Sequence, residues 1–166
     1  EIRLSLVGSE MCIRDRNLFM ETLKIKKLDS DAKVPERATS GSAGLDLCAL
    51  LKEPLSLSCG DTAVIPTGLA IEIPSSEYAA FIFARSGLSV KHGIGLLNSV
   101  GVIDSDYRGE LKVGVINQKR ESYTIMPGER IAQLVIMPVS CMPVCEVSEL
   151  SDTDRGEGGF GSTGKK

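Results

Sequence analysis

The sequence has few of the residues on which several kinds of binding site depend. It contains no Trp, its aromatic residues amount to 4% of the chain, and His92 is its single histidine. The lone histidine excludes a zinc site with several histidine ligands, and the shortage of aromatics argues against a large aromatic ligand cage. No apolar run approaches the length of about 18 residues that a transmembrane helix needs, so no membrane partner is expected.

An excess of positive charge is also missing. The 166 residues include 19 Lys and Arg against 22 Asp and Glu, which leaves a formal net charge of −3. Direct nucleic-acid binding through bulk positive charge is therefore not expected. The 42% hydrophobic and 25% charged residues are typical of a folded globular chain, and the length fits one ordinary domain.

The cysteines form neither a metal-binding nor a disulfide pattern. Their number is odd, and no two have the C-x-x-C spacing; they are Cys12, Cys48, Cys59, Cys141 and Cys145. This pattern predicts free thiols that serve as small buried hydrophobic residues in a reducing compartment, and hence a cytoplasmic location.

Residues 1–19 differ from the rest of the chain. They are too interrupted by charge for a signal peptide, and the string LVGSEMCIRD at 6–15 resembles the translation of a transposon-type sequencing adapter. We therefore expect residues 1–19 to be a disordered, non-native extension and the native chain to start at Met20. A genuine N-terminal extension is the alternative.

Short apolar runs, separated by Gly, Pro, Ser and Asp, fill the middle of the chain. Some alternate apolar with polar or small residues, as half-buried strands do; two others are almost continuously apolar, and the first of these predicts a strand buried on both faces. The alternating runs are 23–27, 55–59, 69–73 and 111–115, and the continuous ones are 79–84 and 131–137. Such closely spaced strands predict an all-β fold, a jelly-roll-like β-sandwich or barrel, over residues 20–150.

One short helix and a glycine-rich tail complete the predicted architecture. Ser86 is a residue type that caps helices and Gly93 one that ends them, so a helix of about two turns is predicted over 86–92. Residues 151–166 contain five glycines and a single aromatic, Phe160. That composition predicts a flexible C-terminal arm.

Two segments carry groups suited to catalysis or anion binding. The acidic turn 104–110 follows an apolar run and begins with Asp104, a candidate general base or metal ligand; a solvated surface turn is the alternative. Arg85 and Ser86 lie where a buried strand meets the predicted helix. Backbone N–H groups and a guanidinium at such a junction favour an anion such as phosphate, and an ordinary helix start is the alternative.

Five segments, in this order and with this spacing, resemble the trimeric dUTP diphosphatase (dUTPase) family. They are SAGLDLCA at 42–49, ARSGLSVKHGI at 84–94, NSVGVIDSDYRGE at 98–110, PGERIAQLV at 127–135 and RGEGGFGSTG at 155–164. One segment alone is weakly specific, whereas all five together are highly specific. The resemblance implies a homotrimer of jelly-roll subunits with shared active sites, over which the arm 151–166 closes when nucleotide is bound.

The resemblance also implies the reaction. A member of this family hydrolyses dUTP to dUMP and pyrophosphate by in-line attack of water on the α-phosphorus, which supplies dUMP for thymidylate synthesis and keeps uracil out of DNA. Asp104 would hold and activate that water. Mg²⁺ on the triphosphate would neutralise charge, with Asp46 as a metal-binding residue that acts through water.

Matching the remaining motif residues implies how substrate is bound. The γ-phosphate would be gripped by Arg155, and the phosphates would be contacted by Arg85, Ser86, Gly87 and Gln133. Asn98 and the backbone of a tight hairpin through Gly101 would read the uracil edge. Tyr107 would pack under the deoxyribose and exclude a 2′-hydroxyl. The arm would contribute Phe160, stacked on uracil, together with Gly161, Ser162 and Thr163.

Other functions remain open at this point. A dCTP deaminase, or a bifunctional deaminase–diphosphatase, has the same fold but needs an Arg-Ser-Ser motif beside a Glu-centred site, whereas Gly87 follows Arg85 and Ser86 here. A non-catalytic nucleotide-binding regulator would have no need of Asp104 or of a complete arm. A purely structural β-sandwich predicts neither hydrolysis nor a trimer.

Overall fold

A computed structural model of the chain describes residues 22–159. These residues contain eleven β-strands, numbered β1 to β11 in chain order, and one helix, α1. The first six strands are Lys24–Lys27, Leu45–Cys48, Leu55–Leu57, Thr62–Pro66, Leu69–Glu72 and Tyr78–Ala84. Helix α1 is Ser86–His92, and the last five strands are Ile94–Leu96, Gly101–Ile103, Lys112–Asn117, Tyr123–Ile125 and Arg130–Pro138.

Antiparallel pairing groups these strands into four sheets within the described range. The largest has the strand order β2-β11-β6-β8, a second has the order β4-β9-β7, and β1-β5 and β3-β10 form two further pairs. Strands that are neighbours in space are distant in sequence, as where Gln133 of β11 lies opposite Asp46 of β2. This crossing of the chain between sheets is the jelly-roll arrangement that the sequence predicts.

The inner faces of the two larger sheets enclose one apolar core. Leu47 and Leu134 of the four-stranded sheet, and Ile65 and Val115 of the three-stranded sheet, are 0% exposed. Helix α1 adds only Leu88 to this core. Burial of each large aliphatic side chain stabilises the fold by roughly 1.5–3 kcal/mol, so a helix with one such contact depends on the sheets for its stability.

All six strands predicted from apolar runs are present, with ends within two residues of the predicted ones. The strands that the sequence pattern did not predict are β2, β4, β7, β8 and β10. They have three to five residues each, so few residues carry a period, although β1, β3 and β5 of similar length were predicted.

Helix α1 covers the predicted residues, but the prediction that Ser86 caps it is wrong. Arg85 takes the N-cap position with an extended backbone and without a side-chain cap hydrogen bond. Strand β6 ends at Ala84, so Arg85 is the residue through which the chain leaves the sheet. Gly93 ends the helix as predicted, with a φ of 73° that glycine adopts without strain.

Strand β6 is fully buried on one face only, contrary to prediction. Ala80 and Ile82 point into the core, whereas Phe81 and Phe83 on the opposite face are half-buried, with their ring centroids 6.4 Å apart. Val102 of β8 lies opposite Phe81 and is 59% exposed. We refer to Phe81, Phe83 and Val102 as the apolar outer face of the four-stranded sheet.

The described cysteines are free thiols, as predicted, but the prediction that they are buried is wrong for three of them. Cys59 lies in the turn after β3, and Cys141 and Cys145 lie in the segment after β11; all three are exposed. Cys48 of β2 is half-buried, and this burial raises the pKa of its thiol. A protonated thiol at that position is a weak nucleophile.

Two predictions concern the ends of the chain. Residues 1–19, expected to be disordered, lie outside the described residues, and the domain limits of 20–150 stay a prediction. None of residues 22–159 forms a helix of the length and apolar character needed to cross a bilayer.

The buried Asn117 side chain fastens the β3-β10 pair to β9. Asn117 is 0% exposed at the end of β9. Its Nδ2 donates to the carbonyl oxygens of Leu57 and Glu121, at 2.9 Å each, and its Oδ1 accepts from the Lys119 N–H at 2.9 Å. The side chain therefore satisfies two carbonyl oxygens and one N–H, which lie at the end of β3 and in the turn before β10.

Replacing Asn117→Ala is expected to destabilise the fold by about 3 kcal/mol, because buried backbone groups lose their partners. The measurement is the thermal unfolding midpoint at a fixed protein concentration. The neighbouring exposed side chain provides a control, Gln118→Ala, which should leave the midpoint unchanged. An Asn117→Ala protein as stable as the wild type would show that these bonds do not hold the pair in place.

Candidate active site

An open groove of about 280 Å³ lies at one end of the four-stranded sheet. It is lined by Ala38, Ser42, Ala43, Gly44, Asp46, Arg85, Ser86, Gly87 and Gln133. Five of these residues, namely Asp46, Arg85, Ser86, Gly87 and Gln133, are the ones predicted to bind phosphates or metal. Three separate sequence segments therefore converge on one cavity, through strands β2, β6 and β11.

The charges of the groove centre on Asp46. Its Oδ1 accepts from Arg85 Nε at 2.9 Å, and its Oδ2 accepts from Arg130 Nη1 at 3.0 Å. The Asp46 side chain is 18% exposed and that of Arg85 is 28% exposed, so this pair is shielded from water on most sides. Asp46 thereby fixes the direction in which the Arg85 guanidinium points.

Gln133 lines the groove beside Asp46, its neighbour across the β2–β11 ladder. Its Nε2 donates to the carbonyl oxygen of Ala84 at 3.0 Å, which leaves Oε1 directed toward Gly44. A Cβ placed on Gly44 would lie only 2.8 Å from Oε1, so a larger residue at that position would displace the Gln133 amide. The amide thus presents an acceptor oxygen beside the Asp46 carboxylate.

The start of helix α1 lines another part of the groove. Ser86 and Gly87 are exposed, and a Cβ on Gly87 would meet no atom within 4 Å. Their backbone N–H groups belong to the first turn of the helix, where they have no partner within the helix. Together with the Arg85 guanidinium they offer several donors to an anion in the groove.

The segment predicted as a hairpin through Gly101 is a turn between two sheets. Strand β7 pairs with β9, and β8 pairs with β6, so the two strands that flank the turn do not pair with each other. Ser99 adopts a φ of 62°, and the Val100 N–H donates to the Asn98 carbonyl oxygen at 2.6 Å. The prediction of a hairpin is wrong here, because the chain passes from the three-stranded sheet to the four-stranded sheet.

Close packing explains the glycine at position 101. A Cβ on Gly101 would lie 3.1 Å from the Cβ of Ile82 and 3.7 Å from Nδ2 of Asn98. The Asn98 side-chain amide is therefore next to the backbone of Gly101, and Asn98 itself is exposed. This places an amide and a tightly turned backbone side by side, as expected for recognition of a planar base edge.

The acidic turn after β8 is held in shape by its own hydrogen bonds. The Tyr107 N–H donates to the carbonyl oxygen of Asp104 at 3.1 Å, and the Tyr107 hydroxyl donates to that of Glu110 at 3.1 Å. The Tyr107 ring lies against Gly109, where any side chain would collide with it. Glu110 in turn accepts from the Gly68 N–H at 2.9 Å. Asp104 and Tyr107 remain exposed on this rigid turn.

The groove and the acidic turn lie apart within one chain. Ile103, just before Asp104, pairs with Ala80, which is five positions before Arg85 on the β6 side of the sheet. At about 3.3 Å per residue, the two levels are roughly 17 Å apart along the strand. Asn98, Gly101, Asp104 and Tyr107 are not among the groove-lining residues, so the described chain brings together five of the predicted residues and keeps these four separate.

The arm is described only in part. Arg155 lies in a turn and donates from Nε to the carbonyl oxygen of Gly158 at 2.7 Å, and it is not among the residues that line the groove. The other predicted residues of the arm, Phe160, Gly161, Ser162 and Thr163, lie outside the described residues.

The described residues do not form a metal site of their own. No group of three or more His, Cys, Asp or Glu side chains in the described part of the chain is arranged to hold a metal ion. The donor set of Asp46 and Gln133 fits a different arrangement, because Mg²⁺ is commonly held by substrate phosphates and water with one carboxylate nearby. Each Asp46 oxygen keeps acceptor capacity beside its ion pair.

Two further residues, Arg130 beside the groove and Glu129 before it, were not predicted from the sequence. Arg130 pairs with Asp46, although it was not singled out within the segment 127–135. Before it, Glu129 accepts from the Tyr123 hydroxyl at 2.5 Å and from the Met126 N–H at 2.9 Å. Burial, together with the Glu129 carboxylate, raises the pKa of Tyr123 to about 12, so it remains a hydrogen-bond donor. The only signal for both was their charge within an otherwise apolar segment.

Known proteins with similar sequences include several bacterial enzymes named deoxyuridine 5′-triphosphate nucleotidohydrolase. The one from Idiomarina loihiensis is 51% identical over 150 residues, which cover 88% of this chain and 99% of that protein. The one from Escherichia coli K12 is 49% identical over 151 residues, covering 89% of this chain and 100% of that protein. The sequence model of the dUTPase family matches residues 30–164.

Solved structures give the same result for the fold. The dUTPase of Staphylococcus bacteriophage 80alpha with dUpNHpp superposes with a TM-score of 0.77 at 34% sequence identity, over 86% of this chain and 98% of that one. A mutant dUTPase from phage phi11 of S. aureus, described with a structural Mg(II) ion, has a TM-score of 0.70 at 28% identity, over 79% and 99% of the two chains. On this sequence and structural similarity, the chain belongs to the dUTPase family.

Proposed function

We propose that the chain hydrolyses dUTP to dUMP and pyrophosphate by in-line attack of water on the α-phosphorus, supplies dUMP for thymidylate synthesis and keeps uracil out of DNA. The observation that carries this proposal is the groove, in which five residues from three motifs of a dUTPase-family chain converge. Release of pyrophosphate from dUTP, compared with dTTP, dCTP and UTP, tests it directly.

The groove is suited to the phosphates. Arg85 offers its guanidinium, while Ser86 and Gly87 offer backbone N–H groups from the first turn of α1. Asp46 and Gln133 would lie near Mg²⁺ on the triphosphate and contact it through water. When bound, Mg²⁺ neutralises phosphate charge and so makes the α-phosphorus easier to attack.

The turn before β8 and the acidic turn after it are suited to the nucleoside and the water. Asn98 and the turn backbone through Gly101 would hydrogen-bond the uracil edge, where a larger base does not fit. Tyr107 would form the wall under the deoxyribose. Asp104 would accept a proton from the attacking water, which needs an exposed carboxylate at the edge of the substrate pocket.

A homotrimer with shared active sites explains why these two groups are separate in one chain. The phosphates of one nucleotide lie within a few ångströms of each other, whereas Arg85 is roughly 17 Å along the strand from the level of Ile103, the residue before Asp104. A second copy that packs on the groove side would bring its acidic turn to the first copy's groove. The apolar outer face is continuous with the groove, because Phe83 lies opposite Gln133, and so offers a surface for that contact.

The arm would complete the site from the third subunit. In this arrangement Arg155 grips the γ-phosphate, Phe160 stacks on uracil, and Gly161, Ser162 and Thr163 add contacts to the nucleotide. Closure of the arm would exclude bulk water from the reacting phosphate. The dUTP pool that such an enzyme acts on, together with the free thiols, favours the cytoplasm as its location.

The same-fold deaminase is not favoured. Its chemistry needs an Arg-Ser-Ser motif, and the exposed Gly87 at the third position has no hydroxyl to offer. A non-catalytic role is also not favoured, because Asp104 and Tyr107 are both held on a rigid turn and exposed.

An Asp104→Asn variant is expected to lower kcat by about 10²–10⁴-fold, because the amide keeps the shape but does not accept the proton of water. Its affinity for a non-hydrolysable imido analogue of dUTP should stay near that of the wild type. Asp106→Asn, at an exposed carboxylate two residues away, is the control and should retain turnover. Near-normal turnover of Asp104→Asn would remove Asp104 from the role of general base.

Tyr107→Ala should weaken the discrimination between dUTP and UTP by at least about tenfold, because the wall under the sugar is removed. The measurement is the ratio of the two kcat/KM values. Tyr107→Phe keeps the ring and loses only the hydroxyl bond to Glu110, so it should retain the discrimination. An unchanged ratio in the alanine variant would mean that another group excludes the 2′-hydroxyl.

A chain that ends at Ser151 should still fold, because the described strands end at Pro138, but it should lose most of its turnover with the arm. If the arm comes from a different subunit than Asp104, activity should return in mixed trimers of two inactive proteins. One is the truncated chain with Asp104 intact, and the other is full-length Asp104→Asn.

The two chains are co-expressed with different tags, and mixed trimers are purified and verified by mass. Each protein alone is the control for residual activity. Mixed trimers without activity would show that Asp104 and the arm that serves it come from one chain, contrary to the proposed assembly.

A further inference from the structure

Arg130 closes a ring of hydrogen bonds beside the groove. Its Nη1 donates to Asp46 Oδ2 at 3.0 Å, Asp46 Oδ1 accepts from Arg85 Nε at 2.9 Å, and Arg85 Nη1 donates to the backbone oxygen of Arg130 at 3.1 Å. Each of the three residues is thus bonded to the other two. The Arg130 side chain is 53% exposed and does not itself line the groove.

A bulge in β11 makes this contact possible. Gln133 lies opposite Asp46, but Arg130 lies opposite Cys48, so the ladder shifts by one residue between Arg130 and Ala132. In a regular strand, residues three positions apart point to opposite faces of the sheet. The extra residue is Ile131, which is buried next to the buried Ala132, and it allows both Arg130 and Gln133 to reach the face of Asp46.

The charges explain what the contact contributes. Asp46 and Arg85 alone would neutralise each other, and the second oxygen of Asp46 would present negative charge beside the groove. With Arg130 on that oxygen, the three side chains carry two positive charges and one negative. The groove then keeps a net positive charge, and Arg85 stays oriented by a carboxylate that is itself held in place.

We propose that Arg130 is a positioning residue for the phosphates of the substrate, acting through Asp46 on Arg85. This inference rests on the proposed function of the groove as the triphosphate site. It assigns Arg130 no direct contact with the reacting atoms. An exposed ion pair with only a structural role would contribute little and would affect stability alone.

The test compares Arg130→Gln and Arg130→Lys with a control, Arg120→Gln, at an exposed arginine in the turn between β9 and β10. Arg130→Gln should weaken binding of a non-hydrolysable imido analogue of dUTP by about tenfold. It should raise the KM for dUTP similarly, leave kcat within about threefold, and leave binding of dUMP, which lacks the β- and γ-phosphates, nearly unchanged. Arg130→Lys should restore part of the affinity and the control should keep all of it.

A double-mutant cycle with Asp46→Asn separates this role from an independent one. If Arg130 acts through Asp46, Arg130→Gln should weaken analogue binding far less in the Asp46→Asn background than in the wild type. The proposal would be overturned if the two substitutions weaken analogue binding by factors that simply multiply in the double variant. It would also be overturned if Arg130→Gln left analogue binding unchanged. Equal weakening of dUMP binding would also overturn it. The thermal unfolding midpoint of each variant is measured separately from binding, and Arg130→Lys serves as the folded reference.

The activity of the wild-type protein on dUTP tests the proposed function separately from the binding experiments. A wild type that binds the analogue but releases no pyrophosphate from dUTP would contradict the proposed function. The binding cycle would still decide whether Arg130 positions phosphates through Asp46.

Discussion

Strand β11 is hydrogen-bonded along both edges, to β2 on one side and to β6 on the other, and the site depends on the register of these two ladders. Gln133 lies opposite Asp46 in one ladder and opposite Phe83 in the other. A shift by one residue would turn the polar groups of the groove toward the core and bring Leu134 to the outside. The free energy of core burial therefore also fixes the positions of the polar groups that line the groove.

If the groove holds the triphosphate as proposed, the Asp46 carboxylate is costly there, because it repels the ligand. Asp46 is tolerated since both of its oxygens are bonded to guanidinium groups, and its contribution is to orient Arg85 before substrate arrives. An arginine held in this way loses little conformational entropy on binding, in contrast to an unrestrained surface arginine. Asp46 thus lowers the net positive charge of the groove, but it holds Arg85 in a fixed orientation.

Much of the fold and of the site could be predicted from the sequence. Apolar runs predicted six strands, including the three longest, and the motifs predicted five of the residues that line the groove. Arg130 could not be predicted, because its direction depends on the bulge at Ile131, and alternation alone would place it on the opposite face from Gln133. The incomplete burial of Phe81 and Phe83 was missed for another reason: an apolar run has the same pattern whether its second face is covered by the same chain or by another one.

The segment after β11 sets the reach of the C-terminal arm. Residues 139–154 separate Pro138 from Arg155, and the described structure contains no helix or strand in this interval. Fully extended, it spans about 55 Å, enough to cross a second copy of the chain in the proposed trimer. A side chain on such a tether has a high effective concentration at the site it contacts, on the order of millimolar, and so does not need a high intrinsic affinity for that site. In the proposed site, Arg155 would therefore bind weakly enough to release product in each cycle and still return before the next substrate is lost.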